Sequence, residues 1–355
     1  MALSAGRSGV DNGVRYEQAK IITEKTINVN IIAVNINTVN INTVNINVEV
    51  ANMTSSVPGH LERSTVVVGV DRSAGSRTAA QWALEFSRAM DCDLHVVGAW
   101  SYPAVAALPG GPALRSPEEM DEDTFETVRS VMSELTGRPV EEIGATDDLV
   151  IEVDRGPADR AILSRVDRRT RVVVVGKRGL GALEGRLLGS VSRRVAELSP
   201  APVAVVPSEP EISMGAALAG PIVVGVDASE AATAARDWAI QVARHEGSEL
   251  VVVHGLAGLP AELPPSAIDR FVERATSMTA QHVEVAREAG LEARVVVEVM
   301  DPRMLLRSVA DQCDAAMIVV GSTGEGPTAG LLVGSVVGYV AQQSERPVVV
   351  VNSSS

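Results

Sequence analysis

Residues 176–190, GKRGLGALEGRLLGS, recur at 321–335 as GSTGEGPTAGLLVGS, each directly behind an apolar run, VVVV at 172–175 and MIVV at 317–320. Upstream, STVVVGVDRS at 64–73 recurs as GPIVVGVDAS at 220–229, and Trp82 in the stretch that follows is matched by Trp238. A chain that repeats two motifs in the same order folds as two copies of one unit. The offset between copies is 156 at the first motif and 145 at the second, so the first copy carries eleven extra residues, most simply in the Pro/Gly-rich stretch 101–117, SYPAVAALPGGPALRSP. The 355 residues suffice for two domains, each with its own core. The expected organisation is a flexible N-terminus at 1–25, a VNINT-repeat β oligomerisation segment at 26–50, a linker at 51–62, domain 1 at 63–208, a linker at 209–218 and domain 2 at 219–353.

Within each copy Val/Ile-rich runs alternate with stretches of helical period, the pattern of a parallel sheet built from βαβ units. In the first copy strands are expected at 65–70, 94–99, 149–153, 172–175 and 203–206, with helices beginning at Ser76, Pro117, Pro157 and Ser190. A composition 46% apolar but only 3% aromatic suits valine-rich buried strands covered by small-residue helices. The fold class is therefore α/β: two tandem doubly wound five-stranded parallel-sheet domains, which bind ligands at the carboxyl ends of their strands. Both glycine stretches fall at such ends.

Charge and cysteine usage narrow the function further. A net charge of −14 opposes a phosphodiester backbone, so no nucleic-acid partner is expected and any bound anion needs a local exception to the field. Cys92 and Cys313 stand far apart without metal-site spacing, as in a protein of a reducing compartment. The absence of a basic segment running into an apolar core, and of long apolar runs, points to a cytoplasmic chain with no membrane partner.

As a template the glycine stretch reads GxxGxGxxxGxLxGS, with Gly176, Gly179, Gly181, Gly185, Gly189 and Ser190 in one copy and Gly321, Gly324, Gly326, Gly330, Gly334 and Ser335 in the other. Glycine at this density lets backbone N–H groups approach a ligand unobstructed. The helix that opens at Ser190 offers N–H groups without intrahelical partners, an anion site. A Walker loop is excluded because GK[ST] is absent, and a dinucleotide fingerprint because this loop follows the fourth strand of its unit, not the first. For one copy, a flexible loop with a serine cap would be the better reading; two copies with matching glycines favour a phosphate site.

GxxG, nine residues, then G[ST] at the fourth strand, together with VGVDxS at the first, resembles the ATP-binding branch of the universal stress protein family, over residues 63–353. The resemblance implies a fold of the adenine nucleotide alpha hydrolase type and ATP, with or without Mg²⁺, as the ligand. It places Gly69, Val70 and Asp71 (Gly225, Val226 and Asp227) at the end of the first strand, and Ala99 (Gly255) where adenine meets the second strand. Val175 and Gly176 (Val320 and Gly321) lead into the loop. The loop itself would cradle phosphate with Gly179, Gly189, Ser190, Val191 and Ser192 (Gly324, Gly334, Ser335 and Val336). Arg178 is the expected phosphate-pairing cation. Each Asp could instead close an Asx-turn or cap a helix. From 176 to 194 the first copy has Lys177, Arg178, Arg186, Arg193 and Arg194 against Glu184, whereas 321 to 339 has only Glu325, and Ser192 is replaced by Val337. The first site is expected to be the tighter.

No catalytic set is visible. The five histidines show no paired spacing, His254 at a strand end reads as a packed or capping residue, and Asp147 with Asp148 reads as a solvated turn. The leading expectation is a nucleotide-responsive stress or dormancy regulator; a slow ATPase and a scaffold in which nucleotide is only structural remain as alternatives.

VNINTVNINTVNIN at 34–47 belongs to neither domain. Its apolar residues alternate as in a strand, but a five-residue period turns Val34 and Ile36 one way and Val39 and Ile41 the other. Residues 26–48 carry no charge to keep strand edges apart. Ile and Val this dense form a β-pairing hazard, and homo-oligomerisation through residues 26–50, with the last strands of the domains as a further surface, is expected.

Overall fold

The computed structural model describes residues 63–102, 115–144, 148–179, 188–208, 218–322 and 334–352. The VNINT repeat, Asp147, Gly181, Gly185, Arg186, Gly324, Gly326 and Gly330 lie outside them.

Domain 1 runs β1 (Thr65–Gly69), α1 (Ala74–Ala89), β2 (Asp93–Trp100), α2 (Pro117–Thr136), β3 (Leu149–Arg155), α3 (Ala158–Leu163), β4 (Thr170–Gly176), α4 (Ser190–Leu198) and β5 (Val203–Val206). Domain 2 repeats the order with β6 (Ile222–Gly225), α5 (Glu230–Glu246), β7 (Leu250–Gly255), α6 (Pro265–Glu288), β8 (Ala293–Glu298), α7 (Pro302–Gln312), β9 (Met317–Gly321), α8 (Ser335–Gln343) and β10 (Val348–Val351). Each set of five strands is parallel, and the order 3-2-1-4-5 sets β1 beside β4 at the switch point. The central strands are valine on both faces because both faces are covered.

Helix starts follow local chemistry. Ser73 caps α1, its hydroxyl accepting from the Ser76 N–H at 3.1 Å, so the helix begins at Ala74 and not at Ser76. Ser116 and Glu119 form a capping box ahead of Pro117 in α2. On one face of the sheet a core of Val66, Val68, Val172 and Val174 under α1 is continuous with Ile222, Val224 and Val319 of domain 2. On the other face α3 and α4 cover Val67, Val97, Val173 and Val175, and α7 and α8 cover a separate cluster around Val223, Val251 and Ile318.

The last strands depart from expectation. β5 and β10 pair with each other antiparallel, Val203 opposite Val350 and Val205 opposite Val348, and fuse the two sheets into one of ten strands. Each therefore has a neighbour on both sides, and these edges are closed to another chain. Four-residue strands of valine and one alanine, fully buried on both faces, carry no mark of which edge they meet.

Candidate functional site

At the carboxyl ends of β1, β2 and β4 a cavity of about 280 Å³ opens between the first turns of α1, α3 and α4. Every first-domain residue expected from sequence lines it: Gly69, Val70, Asp71, Ala99, Val175, Gly176, Arg178, Gly179, Gly189, Ser190, Val191 and Ser192. Sequence reasoning missed five more: Ser73, Ser76, Val97, Ala158 and Ile162. Val97 could have been found, since it lies two residues before Ala99 on the same face of β2; Ala158 and Ile162 come from a helix with no motif.

The first strand ends in a knot of short hydrogen bonds. Asp71 accepts the Ser73 N–H at 2.8 Å, the Asx-turn foreseen as the alternative to a ligand role, while the Ser76 hydroxyl bonds to the Asp71 carbonyl at 2.8 Å. This fixes the Asp71 carboxylate at the mouth of the cavity, where a Cβ on Gly179 would stand 3.0 Å from its Oδ2. Opposite, α4 starts at Gly189 with no side-chain cap, leaving the first-turn N–H groups of Ser190, Val191 and Ser192 to the cavity. The Gly189 N–H bonds to the Lys177 carbonyl at 2.9 Å and the Ser192 hydroxyl to the Gly176 carbonyl at 2.6 Å, which pins the loop ends against the strand.

The charge count of the loop does not carry over to the cavity. Lys177 reaches into the other domain, its Nζ 3.1 Å from the Ser344 carbonyl. Arg193 pairs with Glu197 at 2.9 Å, one turn further along α4, and Arg194 with Asp159 of α3 at 2.6 Å. Among the described cations of the loop only Arg178 lines the cavity, and its Nε is buried with no hydrogen-bond partner. A buried guanidinium N–H without an acceptor is costly unless something supplies one.

A family model for the universal stress protein family matches residues 62–207 and again 219–352. The chain belongs to the universal stress protein family. Membership carries a general stress-associated role. A universal stress protein of Mycolicibacterium smegmatis is 30% identical over 81% of this chain and 96% of its own, and one of Mycobacterium tuberculosis is 28% identical over 80% and 94%. The solved universal stress protein of Archaeoglobus fulgidus DSM 4304 shares the fold, with a TM-score of 0.58 at 21% identity over 81% of this chain and 96% of that one.

The second universal stress protein domain keeps the backbone of the site but is closely packed beside Gly255. The Gly334 N–H bonds to the Ser322 carbonyl at 2.8 Å, as Gly189 does to Lys177, and α8 again starts on a glycine without a side-chain cap. Two substitutions change the surroundings. By strand register Gly156 of domain 1 corresponds to Met300. Gly156 takes φ of +136°, open to glycine alone, on the way into α3, and Ala99 beside it lines the cavity. Met300 turns tightly instead, with its N–H on the Glu298 carbonyl at 2.9 Å. Its carbonyl oxygen and the Pro302 Cα come within 2.8 and 2.7 Å of where a Cβ on Gly255 would stand, so the place open at Ala99 is packed at Gly255. The second change is Gly75, which the Arg178 carbonyl approaches too closely for any side chain; Ala231 stands in its place in domain 2. Val226 and Asp227 line a different cavity, on the opposite face of the sheet.

Proposed function

We propose that domain 1 binds ATP in the cavity at the ends of β1, β2 and β4, and that the protein is a cytoplasmic, nucleotide-responsive stress regulator. The observation that carries this reading is the buried Arg178 Nε without an acceptor, set beside the uncapped start of α4 and a cradle in which Cβ atoms on Gly179 and Gly189 would meet Asp71 and Ser192. Val97, Ala99 and Ile162 would hold the base and ribose side, and Gly179, Ser190, Val191, Ser192 and Arg178 the phosphates. Among the described residues no group of three His, Cys, Asp or Glu is placed to hold a metal, so Mg²⁺ would enter on the phosphates themselves. The packed wall at Gly255 supports one tight site per chain, in domain 1.

Mass spectrometry of nucleotide released from the purified protein, followed by calorimetric titration with ATP, tests the reading. Binding is expected in the wild type and lost in Gly189→Asp, which sets a carboxylate where phosphate must approach. Equal affinity in Gly189→Asp would remove the loop from the site, and no binding at all would end the proposal. A turnover assay with Mg²⁺ on the same protein separates a binder from a slow ATPase. We assign oligomerisation to residues 26–50 on their dense Ile and Val content. Deleting residues 1–50 should give a smaller particle by light scattering while ATP binding persists, and an unchanged mass would reject that role.

A further inference from the structure

Domain 2 carries a cavity at a place where, among the described residues of domain 1, a helix packs directly on the strand. By strand register His254 of β7 corresponds to Gly98 of β2. In domain 1 a Cβ on Gly98 would stand 3.0 Å from both Thr124 and Val128, so α2 lies directly on the strand. In domain 2 the His254 imidazole occupies that layer, and a cavity of about 600 Å³ lies beside it between α5 and α6. It opens on the face of the sheet opposite the glycine loops, and its volume is that of a site for a drug-sized molecule.

The lining divides by chemistry. Its apolar wall is Leu256 with Phe271 and Met278 of α6, both about half exposed although large and apolar. Its polar wall has two histidines with fixed tautomers. His254 Nδ1 lies 2.8 Å from the Val226 carbonyl, which can only accept, so Nδ1 carries the proton. His282 Nδ1 lies 3.3 Å from Arg236 Nη1, which can only donate, so its Nε2 carries the proton and is a donor. Arg236 is nearly buried and spends Nε and Nη2 on Asp237 and Nη1 on His282, which leaves two of the five guanidinium N–H groups without a described acceptor. Arg274, at the rim, makes no described ion pair. The acidic group lining the cavity is Asp227, whose Oδ1 already accepts from both the N–H and the hydroxyl of Ser229. Donors thus outnumber acceptors beside an apolar wall.

We infer that this cavity is a second ligand site, specific to domain 2, for a small amphipathic anion: an apolar body against Leu256, Phe271 and Met278, with its anionic group taken by Arg274 and the donors around Arg236 and His282. Recognition of a carboxylate or sulfonate by guanidinium N–H donors supplies the polar term, and the preformed apolar wall the rest. The site is separate from the ATP cavity, so the two bind independently.

The probe is 8-anilinonaphthalene-1-sulfonate, an amphipathic anion, titrated by fluorescence into the full-length protein with saturating ATP. Saturable binding at one site is expected, unaffected by ATP. His254→Gly, which copies the domain 1 solution and lets α6 settle onto β7, should weaken it by about tenfold or more. Phe271→Ala and Arg274→Gln are surface changes that leave the fold intact, and each should weaken it by about three- to tenfold. The carboxylate 4-phenylbutyrate should displace the probe better than the neutral 4-phenylbutan-1-ol. Absence of saturable binding, displacement by ATP, or affinity unchanged in both Phe271→Ala and Arg274→Gln would overturn the site; equal displacement by acid and alcohol would overturn its anionic specificity.

Discussion

Arg178 and His282 show how far one side chain's surroundings decide its use. Arg178 lines the domain 1 cavity with its Nε buried and unpartnered, whereas Lys177, Arg193 and Arg194 are engaged elsewhere. Arg178→Ala should therefore weaken ATP by about tenfold, the scale of one charge-assisted hydrogen bond, and leave adenosine nearly unchanged. Calorimetry with both ligands checks this; equal losses would remove Arg178 from the phosphates. Burial, and then the neighbouring Arg236, pushes the His282 imidazole below its ordinary range, against the opposing pull of Asp237 and Asp227. The folded form thus keeps His282 neutral where the unfolded chain begins to protonate. Stability should be full above about pH 6.5, the unfolded value, and fall as pH drops from there toward the lower folded value. In urea unfolding across pH 5 to 8, His282→Gln should lose that part of the slope, and an identical slope in the variant would count against it.

At the scale of elements, the decisive piece is the turn between the third strand and its helix. Gly156 at φ +136° and Met300 without it separate an open site from a packed one. Gly156→Met should cost about 1 to 3 kcal/mol of stability for a bulky residue forced toward positive φ, and should weaken ATP if the chain relaxes to the domain 2 turn. Denaturant titration and calorimetry read the two effects separately; full affinity and full stability together would refute the comparison. Sequence showed the strands, the helix starts at Pro117 and Ser190, and the twelve cavity residues of domain 1, because continuous valine runs and repeated glycines are local signals. It could not show that Gly156 and Met300 occupy the same step, since the copies differ in length between the second and third strands and neither residue belongs to a motif. Nor could it show where long side chains end: a loop's net charge says nothing about which cation turns inward. The cavity beside His254 was hidden for the same reason, because a histidine read alone is a strand-end residue and gains meaning only against Gly98.

On the scale of the molecule, the two domains are not beads on a linker. β5 and β10 make them one sheet, and a single core on one face runs through both. Phe86 of α1 stacks on Trp82 of its own helix at 4.9 Å and lies parallel to Trp238 of α5 at 6.1 Å, so the tryptophans matched between the repeats meet across the join. Trp238 also donates from Nε1 to the Arg171 carbonyl at 3.3 Å, and Lys177 and Asn352 each reach a carbonyl of the opposite domain, Ser344 and Ser199. Either domain unfolding alone would expose the valine edge and the aromatic stack of the other, which couples them. Residues 63–352 should therefore unfold in one transition, with tryptophan fluorescence and far-UV circular dichroism coincident in denaturant. Phe86→Ala, which empties a fully buried place between the two indoles, should cost about 3 to 5 kcal/mol. Because its contacts lie on both sides of the join, the loss should lower the midpoint seen by both probes. Two separated transitions in the wild type would show that the shared strands do not bind the domains into one cooperative unit.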